Sequence, residues 1–358
     1  MSHRQYFKKF NPEVIAEPLL PTLCPARGYY DPNLPIPYVS DLPAVTPGDG
    51  EIILICSTQL DAAISCTILR TSSGGYGNTV VTIYGFNNNV VYSETKVNAA
   101  SWTFFYQFPS SGGILSGDGS FQYFKVVFKD ISTNGYLSTF RMETKTNYAN
   151  YGWPVVEAHI KCQKIVSLNS AFLNQKFLKF LKFYGSHNSL TNVNYFVSNC
   201  ENLVELHADI EMNALSSAAY MLSGTISLEI AKFPLNLDNL TDSSYMLQNC
   251  GLKNNPQLPA ILPKLINSTR MFSGMQRINE TLYIPSMPAC TTLTNIASDI
   301  PNVIKIICRG SYIPNTTTAL NAFVNNKNLV EINMGDVWGK TGVAWTMANI
   351  TGANPCLK

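Results

Sequence analysis

From Ala171 onward the chain repeats itself about every 25 residues. The segments Ala171-Phe172-Leu173, Tyr195-Phe196-Val197, Tyr220-Met221-Leu222, Tyr245-Met246-Leu247, Arg270-Met271-Phe272 and Ala322-Phe323-Val324 read as copies of one unit. Their central residues stand at 172, 196, 221, 246, 271 and 323, giving steps of 24, 25, 25, 25 and 52. The last step is two units long, and Ile296-Ala297 occupies the place of the missing copy. A unit this short cannot bury its own apolar face, so its copies must stack into a solenoid.

Within each unit the sequence predicts a capped helical turn, a tight turn and one strand. Asn199, Gly224, Asn249, Gly274 and Asn326 follow the central residues and tolerate positive φ, as a helix C-cap requires. Thr191, Ser216, Ser217, Thr241 and Ser268 lie upstream as N-caps. Downstream runs a Leu-x-x-apolar-x-apolar motif: Leu178, Leu181 and Phe183; Leu203, Leu206 and Ala208; Leu228, Ala231 and Phe233; Val303, Ile306 and Cys308; Leu329, Ile332 and Met334. Its last two apolar residues share one face of a strand. Leu252-Lys-Asn-Asn-Pro lacks the second apolar residue and Ile278 to Leu282 carries an extra one, so strand regularity is in question at both places.

Two further regions precede the repeats. Residues 1–47 hold nine of the twenty prolines, too many for helix or central strand. They also carry Tyr6, Phe7, Phe10, Tyr29 and Tyr30, unlike a disordered tail, and so predict an extended arm that lies on a neighbour. At roughly 3.3 Å per residue such an arm reaches on the order of 150 Å. Residues 48–150 read as β, with runs at Glu51–Cys56, Ala63–Arg70, Thr79–Phe86, Val90–Lys96, Trp102–Phe108, Phe121–Asp130 and Ser138–Thr144. Asn87-Asn88-Asn89 reads as a hairpin connection. Alternation puts Trp102, Phe104, Tyr106 and Phe108 on one face, and Phe124, Val126 and Phe128 opposite Lys125 and Lys129.

The Leu-x-x-Leu-x-Leu core of the repeats resembles a degenerate leucine-rich repeat. Met246-Leu-Gln-Asn-Cys250-Gly-Leu252 is similar to the BspA-like branch, which occurs on surface proteins and in phage-encoded structural proteins. The resemblance covers roughly the last 190 of 358 residues, implies recognition or adhesion, and brings no catalytic residues. The expected fold class is therefore multidomain α+β: an extended Pro-rich arm (1–47), an antiparallel β-sandwich or jelly-roll-like domain (48–150) and a leucine-rich-repeat-like solenoid (151–358).

Composition narrows the function. Charged residues make up 13% of the chain, about half the usual share, and the net charge is +2. That balance speaks against nucleic acid, which calls for a clustered basic face. No apolar run reaches transmembrane length, and no h-region follows the first ten residues, so neither membrane insertion nor secretion is expected. Nine cysteines without paired spacing read as reduced core residues, Cys200 and Cys250 included. Histidines 3, 159, 187 and 207 are scattered and read as solvated or capping groups rather than metal ligands. Ser72-Ser-Gly-Gly-Tyr-Gly77 lacks phosphate-loop spacing, while Asp49 and Asp118, each in Gly-Asp-Gly, read as turns with calcium as the rival role. No catalytic, cofactor or metal residues are assigned, and no enzyme is expected.

The outward strand positions remain as a partner-contact surface: Phe180, Lys182 and Tyr184; Glu205 and His207; Lys232; Lys305 and Arg309; Glu331. The expectation is a non-enzymatic virion protein of a phage, tail or head-attached, made in the host cytoplasm. Its arm would dock on other virion proteins, with homo-oligomer formation inside the assembly, and its solenoid would meet protein or host-surface glycan. The alternative is a bacterial cell-surface adhesin binding glycan or protein through the solenoid. A third reading makes Trp102 or Tyr106 the stacking platform of a carbohydrate module.

Overall fold

The computed structural model describes residues 45–58, 63–72, 78–97, 99–115, 122–131, 135–142, 155–309, 320–333 and 356–357. The arm's candidate contacts Tyr6, Phe7, Phe10, Tyr29 and Tyr30 lie outside the described residues, as does the expected boundary at 150. The first strands are β1 (Glu51–Ser57), β2 (Ala63–Ser72), β3 (Thr79–Tyr84), β4 (Val90–Lys96), β5 (Ser101–Gln107), β6 (Ile114–Leu115), β7 (Gln122–Asp130), β8 (Gly135–Met142) and β9 (Val155–Lys161). Solenoid strands follow as β10 (Phe180–Phe183), β11 (Glu205–His207), β12 (Ile230–Lys232), β13 (Thr281–Ile284), β14 (Lys305–Cys308), β15 (Glu331–Asn333) and β16 (Cys356–Leu357).

The N-terminal region folds as two antiparallel sheets, ordered β9-β1-β7-β3-β4 and β5-β2-β8. Alternation read from the sequence puts the right side chains between them. Phe128 of β7 meets Phe104 of β5 edge-on at 5.7 Å and Phe140 of β8 at 5.4 Å, while Phe108 stacks on Phe124 at 4.9 Å. Trp102 is buried, and Tyr106 packs against Tyr92 and Phe108, so both serve the core and offer no open sugar platform. Asn87 and Asn88, at φ 53° and 57°, turn the chain between β3 and β4 as expected. Apart from glycine, asparagine and aspartate enter the left-handed region with the least strain.

The repeats grow directly out of both sheets. β9 pairs antiparallel with β1 on one edge and parallel with β10 on the other, so the first sheet runs on through β11 and β12. On the second sheet, Thr139 of β8 bridges in parallel to Ser167, which starts a ladder through Asn192, Ser217, Asp242, Asn267 and Thr292. One hydrophobic core extends from Ile52 to Ile332 without interruption. The two-sheet region thus closes the N-terminal end of the solenoid, where stacked repeats would otherwise expose apolar residues.

The chain is nearly all β, which corrects the expected α+β class. Among the described residues the sole helical element is a 3₁₀ turn at Phe86–Asn88. The segments read as capped helical turns are stacked β-turns instead. Leu168, Ser170, Phe172 and Asn174 donate their N–H groups to Asn192, Asn194, Phe196 and Ser198 of the next repeat, at 2.8–2.9 Å. The interleaved Ala171, Leu173 and Gln175 donate three residues back, to Leu168, Ser170 and Phe172. A lone helical turn leaves its terminal groups unpaired, whereas stacking lets every second amide find a partner one layer away.

The supposed N-caps follow the same logic. An N-cap oxygen accepts a bond from an amide two or three residues on. Here Thr191, Ser216 and Thr241 instead donate their hydroxyls to the carbonyls of Val166, Thr191 and Ser216, one repeat earlier, at 3.1, 3.1 and 2.9 Å. Positive φ does fall at Asn199, Gly224, Asn249 and Gly274, but in the last repeat at Asn325 rather than Asn326. Asn326 is buried, and its Oδ1 accepts from Ile300 N at 2.8 Å.

Bonding also fixes the true register. Ala171, Phe196, Met221, Met246, Met271 and Ile296 are equivalent, each donating three residues back, and the period between them is 25 throughout. Asn295 and Asn321 are equivalent left-handed residues, so the final step is 26. Centring the end copies on Phe172 and Phe323 shifts both by one residue. At both ends a small alanine (171 and 322) precedes a large phenylalanine, which stands out in its place.

Strand rungs follow the apolar motif, with Leu181, Leu206, Ile306 and Ile332 fully buried. The parallel sheet breaks after β12, since the repeat containing Leu252-Lys-Asn-Asn-Pro forms no strand. Pro256 has no N–H to give a ladder. The extra residue after Ile278 does no comparable damage, because Asn279 is absorbed before β13, which pairs regularly with β14.

Candidate functional site

The outward face of β9, β10 and β11 gathers an ordered cluster of polar and aromatic groups. Register places Phe180 between Glu157 and Glu205, and Lys182 between His159 and His207. Each glutamate meets the histidine two residues on, Glu157 Oε2 to His159 Nε2 at 3.2 Å and Glu205 Oε2 to His207 Nε2 at 2.8 Å. Phe180 sits between the two imidazoles, with ring centres 5.5 Å from each. Lys182 Nζ lies 4.9 Å from the centre of the Tyr184 ring, a cation–π contact.

A second layer fixes this arrangement. His159 Nδ1 is 3.0 Å from Tyr184 Oη, which also donates to the carbonyl of Val45 at 3.4 Å. Val45 and Ile114 pack on Ile55, Tyr123 and Val156, the apolar continuation of the same face onto β1 and β7. Burial, with the Glu157 charge adding to it, pushes the Tyr184 hydroxyl up to about 12, so the phenol stays protonated.

Several sequence-read positions therefore come together: Phe180, Lys182, Tyr184, Glu205 and His207, with Lys232 at the edge opposite Asp209 (3.5 Å). Two of them differ from the expected exposure, since Phe180 and Glu205 are each 3% exposed. Lys305 and Glu331 belong to the other parallel sheet, past the strandless repeat, and Arg309 directly follows its strand β14. There Lys305 pairs with Glu331 at 2.9 Å, and Arg309 lies over the Tyr283 ring at 4.4 Å. Beside that sheet runs a groove of about 740 Å³ lined by Gln276, Arg277, Asn279, Asn302, Ile304, Asn328 and Val330, with Arg277 held by Glu229 at 3.3 Å.

Sequence reading missed Glu157 and His159, because β9 was not recognised as the first rung. A signal was present. Glu157-Ala158-His159 and Glu205-Leu206-His207 are one Glu-x-His motif, set two rungs apart. The sequence reads the histidines as solvated or capping groups, yet His159 and His187 are buried and the His207 side chain is only 17% exposed. For His159 and His207 the glutamate two residues earlier on the same strand face supplies the partner a covered imidazole calls for.

A carboxylate-oriented imidazole is also how a general base is built. His159, however, is 1% exposed with both nitrogens engaged, so no substrate atom can reach it. Among the described residues no three His, Cys, Asp or Glu side chains converge as a metal site. Asp49, the rival calcium residue, faces Lys161 at 2.9 Å and Gln163 at 3.2 Å, and both contacts hold its carboxyl below the usual range. Asp118 and the loop after Ser72 lie outside the described residues. Seven of the cysteines, Cys200 and Cys250 among them, are buried and unbridged, and Cys200 donates its thiol to the Phe172 carbonyl.

No protein-family model, curated protein or solved structure matches the chain.

Proposed function

We propose that the protein is a non-enzymatic structural and recognition component of a larger assembly, a phage virion protein docked by its N-terminal arm. The solenoid, in this reading, is a rigid rod whose strand face meets another protein or a host surface. The observation that carries it is the position of Val45. This residue, where the arm joins the fold, lies on the outward face of the first sheet and accepts the Tyr184 hydroxyl beside the paired glutamates and histidines. Arm and contact face meet at one place, so a neighbour engaged by the arm is brought against a built surface. The low charge and the Asn- and Thr-rich exterior suit a chain much of whose surface is covered by other subunits.

Deletion of residues 1–44 is the test. The truncated chain is expected to keep its thermal midpoint within a few degrees while disappearing from purified particles, read by immunoblot against the full-length chain. Truncated protein that enters particles at the normal copy number contradicts the proposal.

A further inference from the structure

Along one edge of the solenoid Tyr195, Tyr220 and Tyr245 occupy equivalent positions in successive repeats. Their rings stack face to face, with centres 4.6 and 4.3 Å apart and planes within 9° and 6° of parallel. All three stand in the left-handed region, at φ 53°, 57° and 58°, where a bulky side chain is unusual. Ser170, Asn295 and Asn321 hold the same conformation at the equivalent positions, so the backbone does not require tyrosine there. Stacking offsets the strain, and the stack is a feature of the side chains rather than of the fold.

The two ends of the stack differ. Arg270, the next equivalent residue, lies with its guanidinium 5.7 Å from the Tyr245 ring centre and closes that end. At the other end the equivalent residue is Ser170, whose short side chain turns to Asn169 Oδ1 at 3.2 Å. Nothing aromatic covers Tyr195 from that side among the described residues, and Tyr195 is 39% exposed. The layer of Ser170 therefore lacks the ring that its equivalents carry in the next three repeats. The rim there carries hydrogen-bond donors. Asn169 is exposed and its Nδ2 makes no bond among the described residues, while the Thr139–Ser167 bridge brings the exposed Arg141 across from Asn169.

The geometry points to a saccharide-binding subsite at this end of the ladder, in which a pyranose ring stacks its C–H face on Tyr195 in the place of an absent tyrosine. The amide of Asn169 and the guanidinium of Arg141 then bond the ring's oxygen substituents. A small apolar pocket would favour an aliphatic ligand, but an open aromatic face rimmed by donors suits a ring that is apolar on its faces and polar at its edge. This inference stands apart from the assembly reading, since neither the arm nor the Glu–His face takes part.

The full chain is screened on an array of neutral and uronic-acid-containing oligosaccharides. Maltotetraose, cellotetraose and chitotetraose are also followed by saturation-transfer NMR. Binding is expected at millimolar or tighter affinity, with transfer strongest to the C–H protons of one terminal or internal ring. Tyr195→Asn keeps a residue suited to the left-handed backbone and is expected to weaken binding at least tenfold. Ser170→Tyr, which extends the stack into that layer, is expected to do the same, while Tyr195→Phe retains binding. Absence of any saccharide binding by the folded wild-type chain overturns the inference, as does binding that survives both Tyr195→Asn and Ser170→Tyr. Incorporation into particles is expected to be unchanged in these variants, so failure here leaves the assembly test independent.

Discussion

Gly251→Ala is expected to cost about 3 kcal/mol or more, among the larger effects of any single methyl in this chain. Gly251 donates its N–H to Thr225 O at 3.0 Å, which draws the backbone under the previous repeat. A Cβ there would stand 2.0 Å from the Ile226 carbonyl oxygen, 2.5 Å from its carbon and 3.1 Å from Leu228 N. All three are backbone atoms held by the stacked turns, so no side-chain rotation relieves the clash. Gly274→Ala makes the informative comparison. Its Cβ would meet Asn249 Oδ1 at 2.0 Å, a side-chain atom that can swing away, and its φ of 74° adds strain. That strain is about 1–2 kcal/mol for a non-glycine residue. Asn249→Gly is expected to lower the cost of Gly274→Ala by about 1 kcal/mol, whereas no side-chain change rescues Gly251→Ala. Urea titrations of wild type, the three single variants and the Asn249→Gly/Gly274→Ala double variant give these values. Equal costs at the two glycines would mean that the turns do not stack as closely as described.

His187 is expected to make stability fall steeply below neutral pH. It occupies the core position filled in the other repeats by Cys162, Met212, Leu237, Leu262 and Met287. The side chain is fully buried, its ring edge-on to Phe183 at 5.2 Å, and among the described residues neither ring nitrogen forms a hydrogen bond of good geometry. Burial pulls its pKa down to about 4, against a weaker opposing pull from the Gly185 carbonyl. The folded pKa is thus below the unfolded one, near 6.5. As pH falls through 6.5 the unfolded chain takes up the proton first, and stability declines until the folded imidazole titrates near 4. Across that window the loss is about 3 kcal/mol; above it the group contributes no pH dependence. His187→Leu removes this slope and, by replacing a poorly satisfied buried polar group, adds about 1–2 kcal/mol at pH 7. Parallel stability curves for the two proteins between pH 7 and 4 would contradict this.

The sequence showed the period, the strands and the inward residues because each depends on local spacing. Leu178, Leu181 and Phe183 announce a strand by alternation alone, and Pro256 announces its interruption. Helical turns were inferred where stacked turns exist because both place Ser or Thr before, and Asn or Gly after, a buried residue. The difference lies in whether an amide bonds within its own turn or to a residue about 25 positions on, as Ser170 does to Asn194. That partnership is invisible until the layers are stacked. The candidate face was half legible for a related reason. Phe180, Lys182, Glu205 and His207 follow from strand alternation, but Glu157 and His159 lie on a strand that also belongs to the antiparallel sheet. Nothing local marks Val155–Lys161 as the first rung. Only the repeated Glu-x-His hints at it.

The arm's dependence on neighbours is the claim most open to direct measurement. The isolated full-length chain is digested briefly with trypsin while light scattering reports its mass. The account predicts a monomer cut at once after Arg4, Lys8, Lys9 and Arg27, leaving a resistant fragment that retains the residues from Val45 onward. An isolated monomer whose first 44 residues resist cleavage as well as the solenoid does would contradict it, because the arm would then pack on its own chain.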